Sequence, residues 1–194
     1  MAYHVRLFGE KYHFIFHDAG GIHLVTMEVL RPWVEKGMVT LQDIREQERF
    51  DGYYHNQFLV VNDCLHRYKF MAKWIFFFDV DEFIYLAPKT NLNSVLASLS
   101  GFSQFTIEQM PMSSKLCRSI DYDKTPRDVK RGIRRDRKYA IQPRHAFATG
   151  VHMSQNIGRR SMHKTDGRIK YFHYHDTKEL LPSEDDELLP GDGD

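Results

Sequence analysis

Cysteine is scarce in this chain: Cys64 and Cys117 are the only two in 194 residues. Two thiols cannot build the disulfide framework that small secreted domains depend on, and their spacing matches no metal-binding cysteine motif. A single Cys64–Cys117 bridge stays open, but two buried thiols are the simpler expectation. Long apolar runs are missing as well. No stretch approaches the roughly 18 residues of a membrane-spanning helix, and the opening "MAYHVRLFGEKYHF" lacks a signal-peptide layout. Net charge is almost absent: 27 Lys and Arg against 26 Asp and Glu leave a formal +1. No global field therefore draws the chain to nucleic acid or to a lipid surface. By its own segments it reads as soluble and untargeted.

What is present is a globular composition. Hydrophobic residues make up 42% and aromatics 13%, enough for one packed domain and too much for a disordered chain. "YHFIFHD", residues 12–18, reads as a buried strand, followed by a helix from Ile22 that Pro32 should kink or split and Gly37 should stop. Met38–Ile44 is a second short strand. Asn56–Lys73 is the clearest helix, with Phe58, Val61, Leu65, Tyr68 and Ala72 on one face. The apolar strand from Trp74 comes next, then a helix capped at Thr90 or Asn91 and stopped by Gly101. Ser103–Met110, "KYAIQP" and "RIKYFHYH" complete the strand candidates. The β-α-β-α-β-α-β order predicts an α/β domain with a mixed, mostly parallel sheet flanked by helices. Residues 1–176 form that domain. The segment 177–194 is acidic and expected to be disordered.

The stretch "WIFFFDVDEFIYL", residues 74–86, carries the chemistry. Three carboxylates, Asp79, Asp81 and Glu82, interrupt an apolar run. Unpaired buried charge is costly, so something must compensate them. In an extended strand Asp79 and Asp81 point to the same face, at the carboxyl end where open α/β sheets bind ligands. Two hard oxygen ligands one step apart suit Mn²⁺ or Mg²⁺ and, through it, a diphosphate. The plainer alternative is a solvated loop start. Glu82, on the opposite face, is expected to pair with a nearby Arg or to cap a helix. "YFHYH" offers His173 and His175 as further ligands, or as ordinary hydrogen-bonded strand residues.

Charge is unevenly spread. Residues 115–138 hold ten Lys or Arg against four Asp, and 179–194 hold seven acidic residues and no basic one. The basic segment reads as a long loop with a solvated face; the alternative is that Arg134, Arg135, Arg137 or Lys138 reaches phosphates. Aromatic residues are not interleaved with these charges, which argues against nucleic acid. Asp18, at a strand end, and Gln57, at a helix start, are placed to touch a ligand, though nothing local requires it.

Four quoted stretches, "FHDAGGIHLVTMEVLRPWVEKG", "YHNQFLVVNDCLHRYKFMAKWIFFFDVDEFIYL", "FATGVHMSQN" and "KYFHYHD", closely resemble plant members of glycosyltransferase family 92, in its galactan synthase branch. The resemblance covers residues 2–176. It implies a GT-A-like, Rossmann-like fold, here incomplete at the N-terminus. The implied reaction is a metal-dependent, inverting transfer of galactose from UDP-galactose to the 4-hydroxyl of a β-1,4-galactan chain of pectin. Asp79 and Asp81 match the family's D-x-D, with Mn²⁺ or Mg²⁺ as the cofactor. His173 is the third ligand of choice, and His175 is second to it. Asp18 and Gln57 fall on the donor side. Inversion needs a general base, for which Glu108 is the candidate ahead of Asp121 and Asp123. The implied location is the Golgi membrane, through an anchor upstream of this sequence, and a homodimer is compatible with it. Against the family pattern, the region around "DKTPRDVKRGIRRD" is shorter and the end after Asp176 differs, so a truncated form is expected. Two alternatives stand beside this reading: a haloacid-dehalogenase-type phosphatase using the same D-x-D, and a non-catalytic remnant that binds a partner or sugar.

Overall fold

A computed structural model of the protein describes residues 1–9, 11–48, 56–111 and 137–173. The chain opens with a short helix, α1 (Ala2–Phe8), which the sequence pattern did not indicate. β1 (Phe14–Asp18) and β2 (Val39–Asp43) then pair in parallel across α2 (Leu24–Glu35). Pro32 does not split α2, which runs through it to Glu35. The bond that Pro32 forfeits is the one to Glu28 O, one turn back, and the helix continues for three residues beyond it. Gly37, at φ +70°, lets the chain reverse, and its N–H donates to Val34 O at 2.8 Å. After α3 (Arg45–Glu48) comes α4 (Gln57–Arg67).

The large sheet has the path β3-β6-β5-β10-β4, with β9 attached to β5. Its strands are β3 (Ile75–Phe77), β4 (Glu82–Leu86), β5 (Gln104–Pro111), β6 (Arg137–Ile141), β9 (Ser161–Met162) and β10 (Ile169–His173). β7 (Ala146–Ala148) and β8 (Asn156–Ile157) form a separate small pair. Within the large sheet β4–β10, β3–β6 and β5–β6 are antiparallel, and only β5–β10 and β5–β9 are parallel. The expected "mostly parallel" sheet is therefore corrected to a mixed one. The reason is connectivity. The apolar pattern from Trp74 onward predicts one strand, and the chain forms two, β3 and β4. The true neighbours lie far apart in sequence and run back beside one another.

Alternation sorts the sheet into two faces. Ile84, Phe105, Ile107, Ala140, Ile169 and Tyr171 pack with Leu92, Val95 and Leu96 of α5 (Leu92–Ser98). Asn91 caps that helix, accepting from Ser94 N at 2.8 Å. On the other face Tyr139 and Ile141 pack with Leu65 of α4. Helices thus cover both faces, as an α/β layering requires.

β3 and β4 are the two ends of the sheet path, yet only residues 78–81 join them. Five flat strands would separate those ends by about 19 Å. A link that contains a tight turn, itself under about 7 Å across, cannot bridge that distance. The sheet must curl, and the carboxylate turn lies at the seam where its ends meet. Among the described residues, no helix is long and apolar enough to cross a membrane.

Candidate functional site

The stretch that reads as one strand breaks in two because its acids fold into a turn. Glu82 N donates to Asp79 O at 3.2 Å, and Asp79 N donates to Glu82 Oε2 at 2.7 Å. This reciprocal pair closes residues 79–82, with Val80 82% exposed at the tip. The expectation that strand alternation sets Asp79 and Asp81 on a common face fails for that reason. Asp79 turns toward Lys138, whose Nζ lies 2.7 Å from its Oδ2. Asp81 turns toward His173, whose Nε2 lies 3.3 Å from its Oδ2.

Glu82 is the buried member, 1% exposed, and pairs with a lysine rather than an arginine: Lys138 Nζ lies 3.3 Å from Oε2. Burial pushes the Glu82 carboxyl above its ordinary range, opposed by the Lys138 charge and the Asp79 N–H. For Lys138, burial acts to lower the pKa, but the Glu82 charge and the Asp79 hydrogen bond outweigh it, and the ammonium is held above the usual lysine value. Glu82 Oε1 is buried with no hydrogen-bond partner among the described residues, and it faces His173 Nδ1 at 4.0 Å. Gln109 Nε2 lies 3.4 Å from that same nitrogen. Lys138, Gln109 and His173 therefore meet Glu82 on one face of the curled sheet, from β6, β5, β10 and β4 respectively.

The turn is steadied from outside by α1. His4 lies against Phe78 and Phe83, which flank the turn, with ring centroids 4.7 and 5.7 Å away. Its Nε2 accepts from Ile84 N at 3.3 Å, and Tyr3 Oη donates to Ile84 O at 2.6 Å. α1 thus satisfies the outer edge of β4. Burial lowers the His4 pKa to about 4, consistent with a ring that must stay neutral to accept.

An open cleft of about 1690 Å³ lies between β1 and β3. Phe14, Phe16, Phe76 and Phe77 make it largely apolar, and His17, Gln57, Asp79 and Lys138 add polar groups. Burial also lowers the pKa of His17, whose Nε2 has no hydrogen-bond partner among the described residues. Asp81 and His173 are not among the lining residues. Asp18 is absent from the lining too. Its Oδ1 accepts from Gly21 N at 2.6 Å, closing the turn after β1.

Glu108 lies on β5 between Ile107 and Gln109, so alternation turns it to the opposite face from Gln109 and His173. The structure does not bring it to the carboxylate turn. His175, Asp121, Asp123, Arg134, Arg135, Cys117 and the acidic segment lie outside the described residues. Cys64 is buried, and burial pushes its thiol up to about 11. Lys138 and Arg137, assigned to the basic loop, open strand β6 instead. Sequence reasoning did not foresee Lys138 as the partner of both acids. The signal was its place directly before the apolar "YAI", where a lysine must bury its ammonium or find a countercharge.

Among the described residues, no group of three or more His, Cys, Asp or Glu side chains is gathered to hold a metal ion. Two of them nevertheless suit one. Adjacent ligands on an octahedral Mg²⁺-sized ion stand about 3 Å apart, and Asp81 and His173 are 3.3 Å apart. Around the ring, Glu82 Oε1 lies 4.0 Å from Nδ1, beyond hydrogen-bond reach, and the Gln109 amide nitrogen is nearer at 3.4 Å. Such ions commonly take one or two carboxylates and complete their shell with water and phosphate.

The family model of glycosyltransferase family 92 matches residues 1–186. The chain is 63% identical over 186 residues to galactan β-1,4-galactosyltransferase GALS2 of Arabidopsis thaliana, covering 90% of this chain and 36% of that protein. It is 54% identical over 201 residues to GALS1 of the same plant, covering 94% and 40%. A more distant match, 28% identical over 172 residues, is β-1,4-galactosyltransferase galt-1 of Caenorhabditis elegans, covering 84% and 40%. The chain thus spans well under half the length of the relatives it matches.

Proposed function

Because the chain belongs to glycosyltransferase family 92, we propose that it carries the nucleotide-sugar end of a galactosyltransferase site, centred on the turn 79–82. The donor in this reading is UDP-galactose and the acceptor a β-1,4-galactan, with inversion at the transferred carbon. The observation that supports it most is the 63% identity to a galactan β-1,4-galactosyltransferase across the segment that contains this turn. Family membership also argues against the phosphatase alternative. The α/β alternation of residues 14–77 is compatible with a GT-A-like domain, and a Golgi membrane location belongs to the same reading.

Asp81 and His173 are the residues that would hold Mn²⁺ or Mg²⁺, with Asp79 joining them from the other side of the turn. A bound divalent cation supplies positive charge against the charge that builds on the departing diphosphate. The chain's own groups do the positioning. Glu82 locks the turn through Asp79 N, Gln109 and Glu82 flank the His173 ring, and Lys138 balances the buried acid. Gln57 and Lys138 face the cleft, where an anionic donor would lie.

The test is galactose transfer from UDP-galactose to a β-1,4-galacto-oligosaccharide by the 194-residue protein with Mn²⁺. Transfer that falls about a hundredfold or more in Asp81→Asn supports the reading. A folded protein that transfers nothing at saturating Mn²⁺ and donor favours the non-catalytic alternative.

A further inference from the structure

The residue that answers the cost of the buried acids is Lys138, and its position carries a consequence for cation binding. Its side chain is 7% exposed and its Nζ touches two carboxylates, Asp79 Oδ2 at 2.7 Å and Glu82 Oε2 at 3.3 Å. The two partners are not equivalent. Glu82 is 1% exposed and fixed by Asp79 N, whereas the Asp79 side chain is 59% exposed. Asp81 and His173 face each other at 3.3 Å, close enough for one cation to take both. Glu82 Oε1, buried and without a hydrogen-bond partner among the described residues, points to that same imidazole. The site is thus ready on one side and withheld on the other.

We propose that Lys138 is an internal counter-ion that holds Asp79 away from a divalent cation, so that a cation gains Asp79 only by exchanging with the Lys138 ammonium. The exchange would break the Lys138–Asp79 hydrogen bond and give the carboxylate to the cation, with no covalent bond made or broken. Asp79 passes from the ammonium to the cation, while Lys138 stays on Glu82 and is never left buried without a countercharge. That retained partner keeps the exchange cheap. A lysine with only Asp79 beside it would have to be stranded, at a cost of several kcal/mol. The Lys138 N–H released from Asp79 then faces the cleft that Lys138 lines.

This inference rests on the metal reading above, and one experiment separates the two. Mn²⁺ is titrated into wild-type protein and into Lys138→Met by calorimetry, with thermal unfolding followed at each Mn²⁺ concentration. Removing the competitor should tighten Mn²⁺ about fivefold, the scale of one partly exposed ion pair. Mn²⁺ should also raise the melting temperature of Lys138→Met more than that of the wild type. Wild-type binding with equal or weaker affinity in Lys138→Met overturns the counter-ion role and leaves the metal reading standing. No Mn²⁺ binding to either protein overturns both. If Lys138→Met does not fold, Lys138→Met combined with Glu82→Gln, which removes the stranded acid, is read in the same way.

Discussion

The two sides of one turn face different partners. On the Asp79 side the balancing charge is a buried lysine, permanently cationic and shared with a buried glutamate. On the Asp81 side the partner is an imidazole that is 14% exposed and can either carry a proton or offer a lone pair. In the first arrangement the Lys138–Glu82 pair is shielded from water, while Asp79, at 59% exposure, meets it. The second leaves a place where a ligand can enter. A D-x-D spacing is symmetric on paper; in the fold it is asymmetric, because Asp79 shares its lysine with Glu82, which at 1% exposure needs a resident cation.

Breaking the buried side should have the largest effect on stability. Lys138→Met leaves Glu82 buried without its countercharge, at a cost on the order of 3–5 kcal/mol in urea unfolding. Adding Glu82→Gln should recover part of that loss, so that the double variant is less destabilised than the two singles summed. Equal stability of Lys138→Met and wild type would show that the lysine does not compensate the acid.

Acid should act next, through the α1 brace. His4 is neutral in the fold, with a pKa of about 4 against the ordinary 6.5. Above pH 6.5 both folded and unfolded states hold it neutral and its contribution is whole. Below that, the unfolded chain takes a proton that the folded one refuses, and stability drains away as pH falls toward 4. The loss reaches on the order of 3 kcal/mol. Glu82, whose carboxyl burial holds above the ordinary range, works in the opposite sense, gaining stability as pH falls. Unfolding at pH 7 and pH 4.5 in wild type and His4→Phe isolates the histidine. An unchanged pH slope in the variant would remove His4 from the account.

The pieces of this fold differed in how plainly the sequence announced them. β1, α2, β2, α5 and β5 followed from periodicity, a capping asparagine and a terminating glycine, all of them local signals. The split of residues 74–86 into β3, turn and β4 was hidden, because "WIFFF" and "EFIYL" are each apolar and only the hydrogen bonds of 79–82 separate them. The sheet order was hidden for the same reason, since pairings such as Glu82 with His173 join residues far apart in the chain. Spacing singles out Asp79 with Asp81, and the family resemblance puts His173 ahead of His175; the fold brings Asp81 to His173 and turns Asp79 to Lys138. Lys138 was read as part of a solvated charge run, because local charge density says nothing about which single member enters a core.

Asp81 is 40% exposed and its partner is a single imidazole, so its loss should cost little stability, under about 1 kcal/mol. For cation chemistry it should be the most severe. Calorimetry of UDP binding, with and without Mn²⁺, on wild type and Asp81→Asn separates these two roles of the residue. The account predicts Mn²⁺-dependent UDP binding in the wild type that disappears in a variant still folded. UDP binding that is the same in both proteins, or indifferent to Mn²⁺, would contradict it.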